Sequence, residues 1–251
     1  MVGTRVVKVS GHELDDPAWL STFARGVASG PRTIVVHGGG KQINALSARL
    51  GLPVVKINGL RVTTPEVAEA VQMVLCGPVR SRLVAALRAA GLEAVGISGA
   101  DGGLLEARIT DADLGRVGEV VRVAPALLES LIAGGFTPVV APVCADQTGP
   151  LNVNADEAAT ALALALAVKE LLFISDVPGV LVDGVPQASL VAREVEGRIA
   201  AGDVKDGMAV KLRCAVRALQ GGVAVVRIGD LRALTDPLAG TRLLSGAAHP
   251  A

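Results

Sequence analysis

Residues 33–50 read TIVVHGGGKQINALSARL. TIVV is a short β-branched run of the kind that fills a buried strand, and the residues after the glycines have helical spacing. Strand, glycine turn and helix in that order begin a βαβ unit. The glycines leave backbone N–H groups free at a helix start, where the helix dipole favours negative charge. The segment is therefore a candidate anion site. It fits neither GxxxxGK[ST] nor GxGxxG. A turn that only lets strand and helix pack closely would use the same residues, and on this motif alone both readings stand.

The same alternation runs along the chain. Apolar runs at 5–9, 33–36, 93–97, 137–142, 170–175 and 223–228 are expected strands. Between them, helical patterns cover 17–28, 41–50, 66–76, 79–90, 124–133, 156–167 and 206–220. Asp206 is the expected cap of the last helix, and Gly221-Gly222 follows its end. Strands alternating with helices predict an α/β fold, with a central, mostly parallel sheet covered by helices on both faces in a three-layer sandwich. Residues 104–123 alternate polar and apolar residues around turn formers, which predicts a β-hairpin outside the main sheet. No Pro/Gly-rich linker divides the 251 residues, a length that suits one domain or two tightly joined lobes.

Composition narrows the function. Apolar residues make up 51% and charged residues 19%, as in a globular protein. The 24 basic residues balance the 24 acidic ones, and aromatics are 2%, so neither a charge field nor stacking platforms point to nucleic acid. Cys76, Cys144 and Cys214 are widely spaced, without a CxxC or Cys/His cluster; reduced thiols in the cytoplasm are expected, and no protein-built metal site. MVGTRVVKVSGHE lacks the apolar run of a signal peptide, and the apolar run AATALALALAV (158–168) spans about half the length needed to cross a bilayer. No membrane association is expected.

Six short constellations carry candidate chemistry. KVSG places Lys8 at the end of a strand with Gly11 after it, in reach of an anion beyond the sheet or simply exposed. HGGGK supplies Gly39 and Gly40. NGLRVT holds Arg61, whose planar fork suits a carboxylate, though a packed surface arginine reads the same. GPLNVNAD offers Asn152, Asn154 and Asp156 before an apolar helix, more polar groups than one cap requires. SDVPGVL (175–181) ends a strand in a turn that suits a nucleotide rim or an ordinary loop. DGMAVK puts Lys211 on an otherwise apolar helix face, either paired or snorkelling to solvent.

The order KVSG, HGGGK, NGLRVT, DLGRVGEV, GPLNVNADEAATALA, SDVPGV and DGMAVK, with QMVLCGPV and GISGADGG between, resembles the amino acid kinase family from about residue 5 to about residue 244. The likeness is to those members that phosphorylate N-acetyl-L-glutamate in arginine biosynthesis. It implies that ATP, with Mg²⁺, donates its γ-phosphoryl group to the acceptor's side-chain carboxylate, giving N-acetyl-L-glutamyl 5-phosphate. By the same resemblance Lys8 and Lys211 stabilise the transferring group, and Asp156 orients both lysines. Gly11, Gly39 and Gly40 supply backbone donors, and Arg61 and Asn152 hold the acceptor's carboxylates. Asp176, Val177, Pro178, Gly179, Val180, Leu181, Asp203, Val204 and Lys205 receive the nucleotide.

The 104–123 hairpin becomes a lid over the acceptor, residues 1–169 the acceptor lobe and 170–251 the nucleotide lobe of a single domain. Few residues precede the first strand, where arginine-inhibited hexameric members carry an extra helix, so the resemblance implies an arginine-insensitive cytoplasmic homodimer. Ser10 stands where the family has a glycine, and Lys41 where it often has proline or a small residue, adding positive charge near the acceptor. The sister kinases of lysine biosynthesis, acting on carrier-linked aminoadipate or glutamate, share the fold, as would a non-catalytic regulator that binds nucleotide or amino acid.

Overall fold

The computed structural model describes residues 3–11 and 13–246. Its main sheet has eight strands in the order 189–191, 241–244, 225–229, 170–174, 4–9, 32–37, 137–141, 94–98. All pairs are parallel except that between 225–229 and 241–244. The six strands expected from the sequence all lie in it. The helices are α1 (Pro17–Ala28), α2 (Gly40–Arg49), α3 (Pro65–Val74), α4 (Arg80–Ala89), α5 (Ala126–Ala133), α6 (Ala155–Ala165), α7 (Val195–Ala201) and α8 (Asp206–Gln220).

Strand periodicity sorts the core into two layers. Val6, Ile34, Val36, Leu171 and Phe173 face the core built with α5, α6 and α8. Val7, Val9, Val35, Leu172 and Ile174 face the core built with α1, α3 and α4. Lys8 shares the parity of Val6, so its side chain enters the α6/α8 layer.

The 104–123 segment forms the expected antiparallel pair outside the main sheet, Leu105–Ile109 with Val117–Val123. It belongs to a four-stranded sheet completed by Gly149–Val153 and Val143–Asp146. Helices α3 and α4 are joined by a π-helical turn, Leu75–Val79, that absorbs Pro78 and a break at Gly77. Pro65–Ala89 is therefore long and apolar enough to span a bilayer, yet Leu75, Val79, Leu83 and Leu87 bury themselves in the second core. Finally, Asp206 does not cap α8. The cap position is Lys205, without a side-chain bond, and Asp206 is the first helical residue with φ of +50°.

Candidate active site

The carboxyl ends of the parallel strands bring the polar motifs into one crevice. Asp156 follows Asn154, whose side chain caps α6 by accepting from the N–H groups of Asp156 and Glu157. Its Oδ1 lies 3.0 Å from Lys8 Nζ and 2.9 Å from Lys211 Nζ. All three residues are buried, at 7%, 6% and 5% exposure for Lys8, Asp156 and Lys211. Lys211 Nζ also stands 5.2 Å from the centre of the Phe173 ring.

One carboxylate between two ammonium groups leaves a surplus positive charge. Burial pushes the Asp156 carboxyl up, but the Lys211 and Lys8 charges outweigh it and hold its pKa at about 2. Burial pulls Lys8 down to about 8; Asp156 opposes this and Lys211 reinforces it. Buried surplus charge of this kind calls for an anion from outside.

Next to the triad, two glycine loops touch. A Cβ on Gly11 would stand 2.6 Å from the Gly39 backbone, and one on Gly39 would stand 2.5 Å from Leu75 Cδ2. Only glycine permits this approach. Helix α2 starts at Gly40 with Gly39 as an uncapped N-cap, so its first N–H groups have no side-chain partner. The Ser10 N–H donates to the Ile174 carbonyl at 3.1 Å, and its hydroxyl accepts from Lys8 Nζ at 3.5 Å.

A cavity of about 180 Å³ opens beside these loops and is lined by Gly39, Gly40, Lys56, Arg61, Asn152 and Asn154, among others. Arg61 is 8% exposed; its Nη2 donates to Asn44 Oδ1, while Nη1 is buried with no partner. A buried guanidinium N–H without an acceptor is costly, and a carboxylate entering the cavity would satisfy it.

Three motifs close the cavity wall together. Thr63 Oγ1 donates to the Arg61 carbonyl and accepts from Asn152 Nδ2 at 3.1 Å. The Thr63 N–H donates to Leu114 O at 2.9 Å, and the Arg116 N–H donates to Thr63 O at 2.6 Å. Gly115 between them has φ of +68°, and a Cβ there would collide with the Thr63 carbonyl. Arg116 then clamps Asp146, Thr148 and the carbonyls of Gly149 and Pro150. NGLRVT, DLGRVGEV and NVNAD are thus one hydrogen-bonded unit.

Two expectations need correction here. The 105–123 pair sends only its strand start, Val117, to the cavity, because the four-stranded sheet holds it aside. The short hairpin Lys56–Ile57/Leu60–Arg61 contributes more of the lining: Lys56, Gly59, Leu60 and Arg61. Lys41, expected near the acceptor, does not line this cavity; its Nζ lies 3.6 Å from Asp15 Oδ2. Lys56, Phe173 and Thr63 are further site neighbours that no motif singles out, whereas Asn154, named among the candidates, caps α6 and lines the cavity. Lys56 sits two residues before the NG turn, and only the hairpin places it at the rim.

The turn 176–181 follows the strand Glu170–Ile174 at its carboxyl end. Val180 is fully buried and its N–H donates to Thr241 Oγ1 at 2.8 Å; a Cβ on Gly179 would stand 2.6 Å from that same oxygen. Val204 is also core, at 4% exposure. Asp203 lies 3.7 Å from Arg198, and Lys205 is exposed at the start of α8. In these segments the side chains of Asp176, Leu181, Asp203 and Lys205 are exposed, and those of Val177 and Pro178 are half-buried.

His37 is fully buried with burial lowering its pKa to about 4; Nδ1 bonds the Gly38 carbonyl at 3.0 Å, and Nε2 is unpartnered. It is neutral and closed off from the crevice. Among the described residues no three His, Cys, Asp or Glu side chains are grouped to hold a metal ion.

The chain is similar to known proteins over nearly its whole length. An acetylglutamate kinase of Chloroflexus aurantiacus is 48% identical over 98% of both chains. The crystal structure of smu.665 from Streptococcus mutans UA159 superposes with a TM-score of 0.86 at 30% identity, over 96% of this chain and 98% of that one. N-acetylglutamate synthase from Neisseria gonorrhoeae, complexed with coenzyme A and N-acetyl-glutamate, gives 0.83 at 25% identity, over 98% of this chain and 60% of that one. The sequence profile of the amino acid kinase family matches residues 3–230, and with these relatives it establishes that the chain belongs to that family.

Proposed function

We propose that the protein transfers the γ-phosphoryl group of ATP to the side-chain carboxylate of N-acetyl-L-glutamate, the acyl-phosphate-forming step of arginine biosynthesis. The observation that carries this is the buried Lys8–Asp156–Lys211 triad beside a cavity with an unpaired Arg61 N–H. Relatives named acetylglutamate kinase at 41–48% identity supply the acceptor's identity.

An acceptor oxygen attacks the γ-phosphorus, the bond from phosphorus to the β–γ bridging oxygen breaks, and ADP leaves with that electron pair. The nucleophile is a carboxylate and already ionised, so no general base is needed, consistent with the closed position of His37. Catalysis then consists of alignment and charge stabilisation. Lys8 and Lys211 approach the equatorial and leaving oxygens, and Asp156 keeps both ammonium groups oriented. Backbone N–H groups near Gly11 and Gly39 complete the cradle. Arg61 and Asn152 hold the acceptor so that its far carboxylate meets the transferring group. The turn 176–181 and residues 203–205 receive the nucleotide, chiefly through backbone groups.

The donor set fits magnesium only through the nucleotide: Asp156 is occupied by two lysines and the described residues hold no carboxylate cluster. When bound, Mg²⁺ neutralises phosphate charge. Residues 1–169 act as acceptor lobe and 170–251 as nucleotide lobe of a cytoplasmic homodimer. ADP formation should depend on N-acetyl-L-glutamate and be at least tenfold weaker with glutamate, aspartate or aminoadipate. Turnover confined to a carrier-linked substrate would transfer the protein to the lysine-pathway sister activity.

A further inference from the structure

Gln42 lies on α2, one turn inside the glycine loop. Its Nε2 donates to the Gly11 carbonyl at 2.9 Å and to Asp15 Oδ2 at 2.9 Å. Both partners are acceptors, so the amide has one stable orientation; reversed, its oxygen would face two others. Oε1 is then turned toward Gly39, 3.8 Å from where a Cβ on that residue would stand. Asp15 is itself held by Arg82 of α4 and by Lys41 at 3.6 Å. A chain of polar contacts thus runs from the ion cluster on α2 and α4, through one amide, to the loop that touches Gly39.

We propose that Gln42 is a positioning residue for phosphoryl transfer, fixing Gly11 against the Gly39 turn, and that Asp15 with Lys41 and Arg82 sets the side chain of Gln42. The assignment rests on the phosphoryl-transfer function proposed for the crevice. Nothing at Gln42 lines the acceptor cavity or touches the lysine triad. Its effect is on where the Gly11 and Gly39 backbone stands, and small displacements of a donor cradle are expensive in rate. This also gives Lys41 a purpose: it holds Asp15 rather than the acceptor.

The test is steady-state kinetics on the full chain with ATP and N-acetyl-L-glutamate, beside melting temperatures. Gln42→Leu should lower kcat on the order of tenfold and move either KM by less than about threefold. Asp15→Asn should lower kcat by about threefold, and the double variant should be no slower than Gln42→Leu alone, because the two residues act in series. Gln42→Glu, which faces two acceptors with a carboxylate, should be at least as slow as Gln42→Leu. Unchanged kcat in Gln42→Leu, or effects that multiply in the double variant, would overturn the assignment. Absence of turnover in the unmodified protein would instead defeat the proposed function.

Discussion

The sides of the crevice proposed for the acceptor and for the nucleotide are built differently. On the acceptor side, side chains do the work. Arg61 and Thr63 of one segment and Asn152, 89 positions beyond Thr63, are joined by hydrogen bonds through Thr63, which also bonds the Leu114–Arg116 turn. On the proposed nucleotide side, Val180 and Val204 are buried and a Cβ on Gly179 would press on Thr241, while Asp176, Leu181, Asp203 and Lys205 are exposed and show no hydrogen bond to one another. A carboxylate is read by a fork-shaped donor at a set distance, whereas phosphates and a base can be cradled by backbone. Substitutions on the two sides should therefore fail in different ways.

The largest loss belongs to the triad between them. Lys8→Ala and Lys211→Ala should each lower kcat by about 100-fold or more, with little change in nucleotide affinity measured by titration calorimetry. Each also leaves Asp156 with one partner fewer in a buried site, so melting temperature must be followed in parallel. If kcat survives in both, the lysines have another role.

Arg61→Ala comes next. It should raise the acceptor KM by about 100-fold while the ATP KM stays within about twofold, and Arg61→Lys should rescue only part, since an ammonium lacks the planar fork. Gly179→Ala inverts the pattern on the nucleotide side. Its Cβ would stand 2.6 Å from Thr241 Oγ1, so the turn must shift, and the ATP KM should rise about tenfold with the acceptor KM held. Equal damage to both substrates in either variant would erase the proposed division of labour.

The smallest effect is on pH. With Lys8 at about 8 in the free protein, kcat/KM should hold up to that pH and fall above it as the ammonium is lost. The sign separates this from unfolding. Lys8 titrates at about 8 folded and near 10.5 unfolded, so between those values the unfolded chain binds more protons and the Lys8 contribution to stability rises with pH. Activity should therefore fall there without a matching fall in melting temperature from this group.

Much of this was legible in the sequence, and the gaps have physical causes. Strands such as 4–9 and 170–174 are uninterrupted apolar runs, which local pattern finds. The strand Gly149–Val153 is hidden in the sequence because Gly149 and Pro150 open it and polar Asn152 interrupts its apolar run, so it reads as the approach to α6. Lys211, Asp156 and Arg61 are visible as odd polar residues in apolar surroundings. Their meeting is not: Lys211 bonds Asp156 across 55 positions and Asn152 bonds Thr63 across 89. No local period encodes such pairs, and family resemblance, rather than spacing, assigned their roles. The hairpin that lines the cavity is hidden in the sequence for a similar reason. Two-residue strands at 56–57 and 60–61 are too short to leave a pattern, while the longer 105–123 pair leaves one and belongs elsewhere.

The central claim is that the acceptor's own side-chain carboxylate attacks phosphorus. N-acetyl-L-glutamate labelled with ¹⁸O in that carboxylate, turned over with ATP and trapped with hydroxylamine, tests it. Hydroxylamine displaces phosphate at the carbonyl carbon, so the attacking oxygen leaves with the phosphorus. The account predicts inorganic phosphate carrying one ¹⁸O together with the hydroxamate. Unlabelled phosphate without hydroxamate would mean that water, or another group, receives the phosphoryl group.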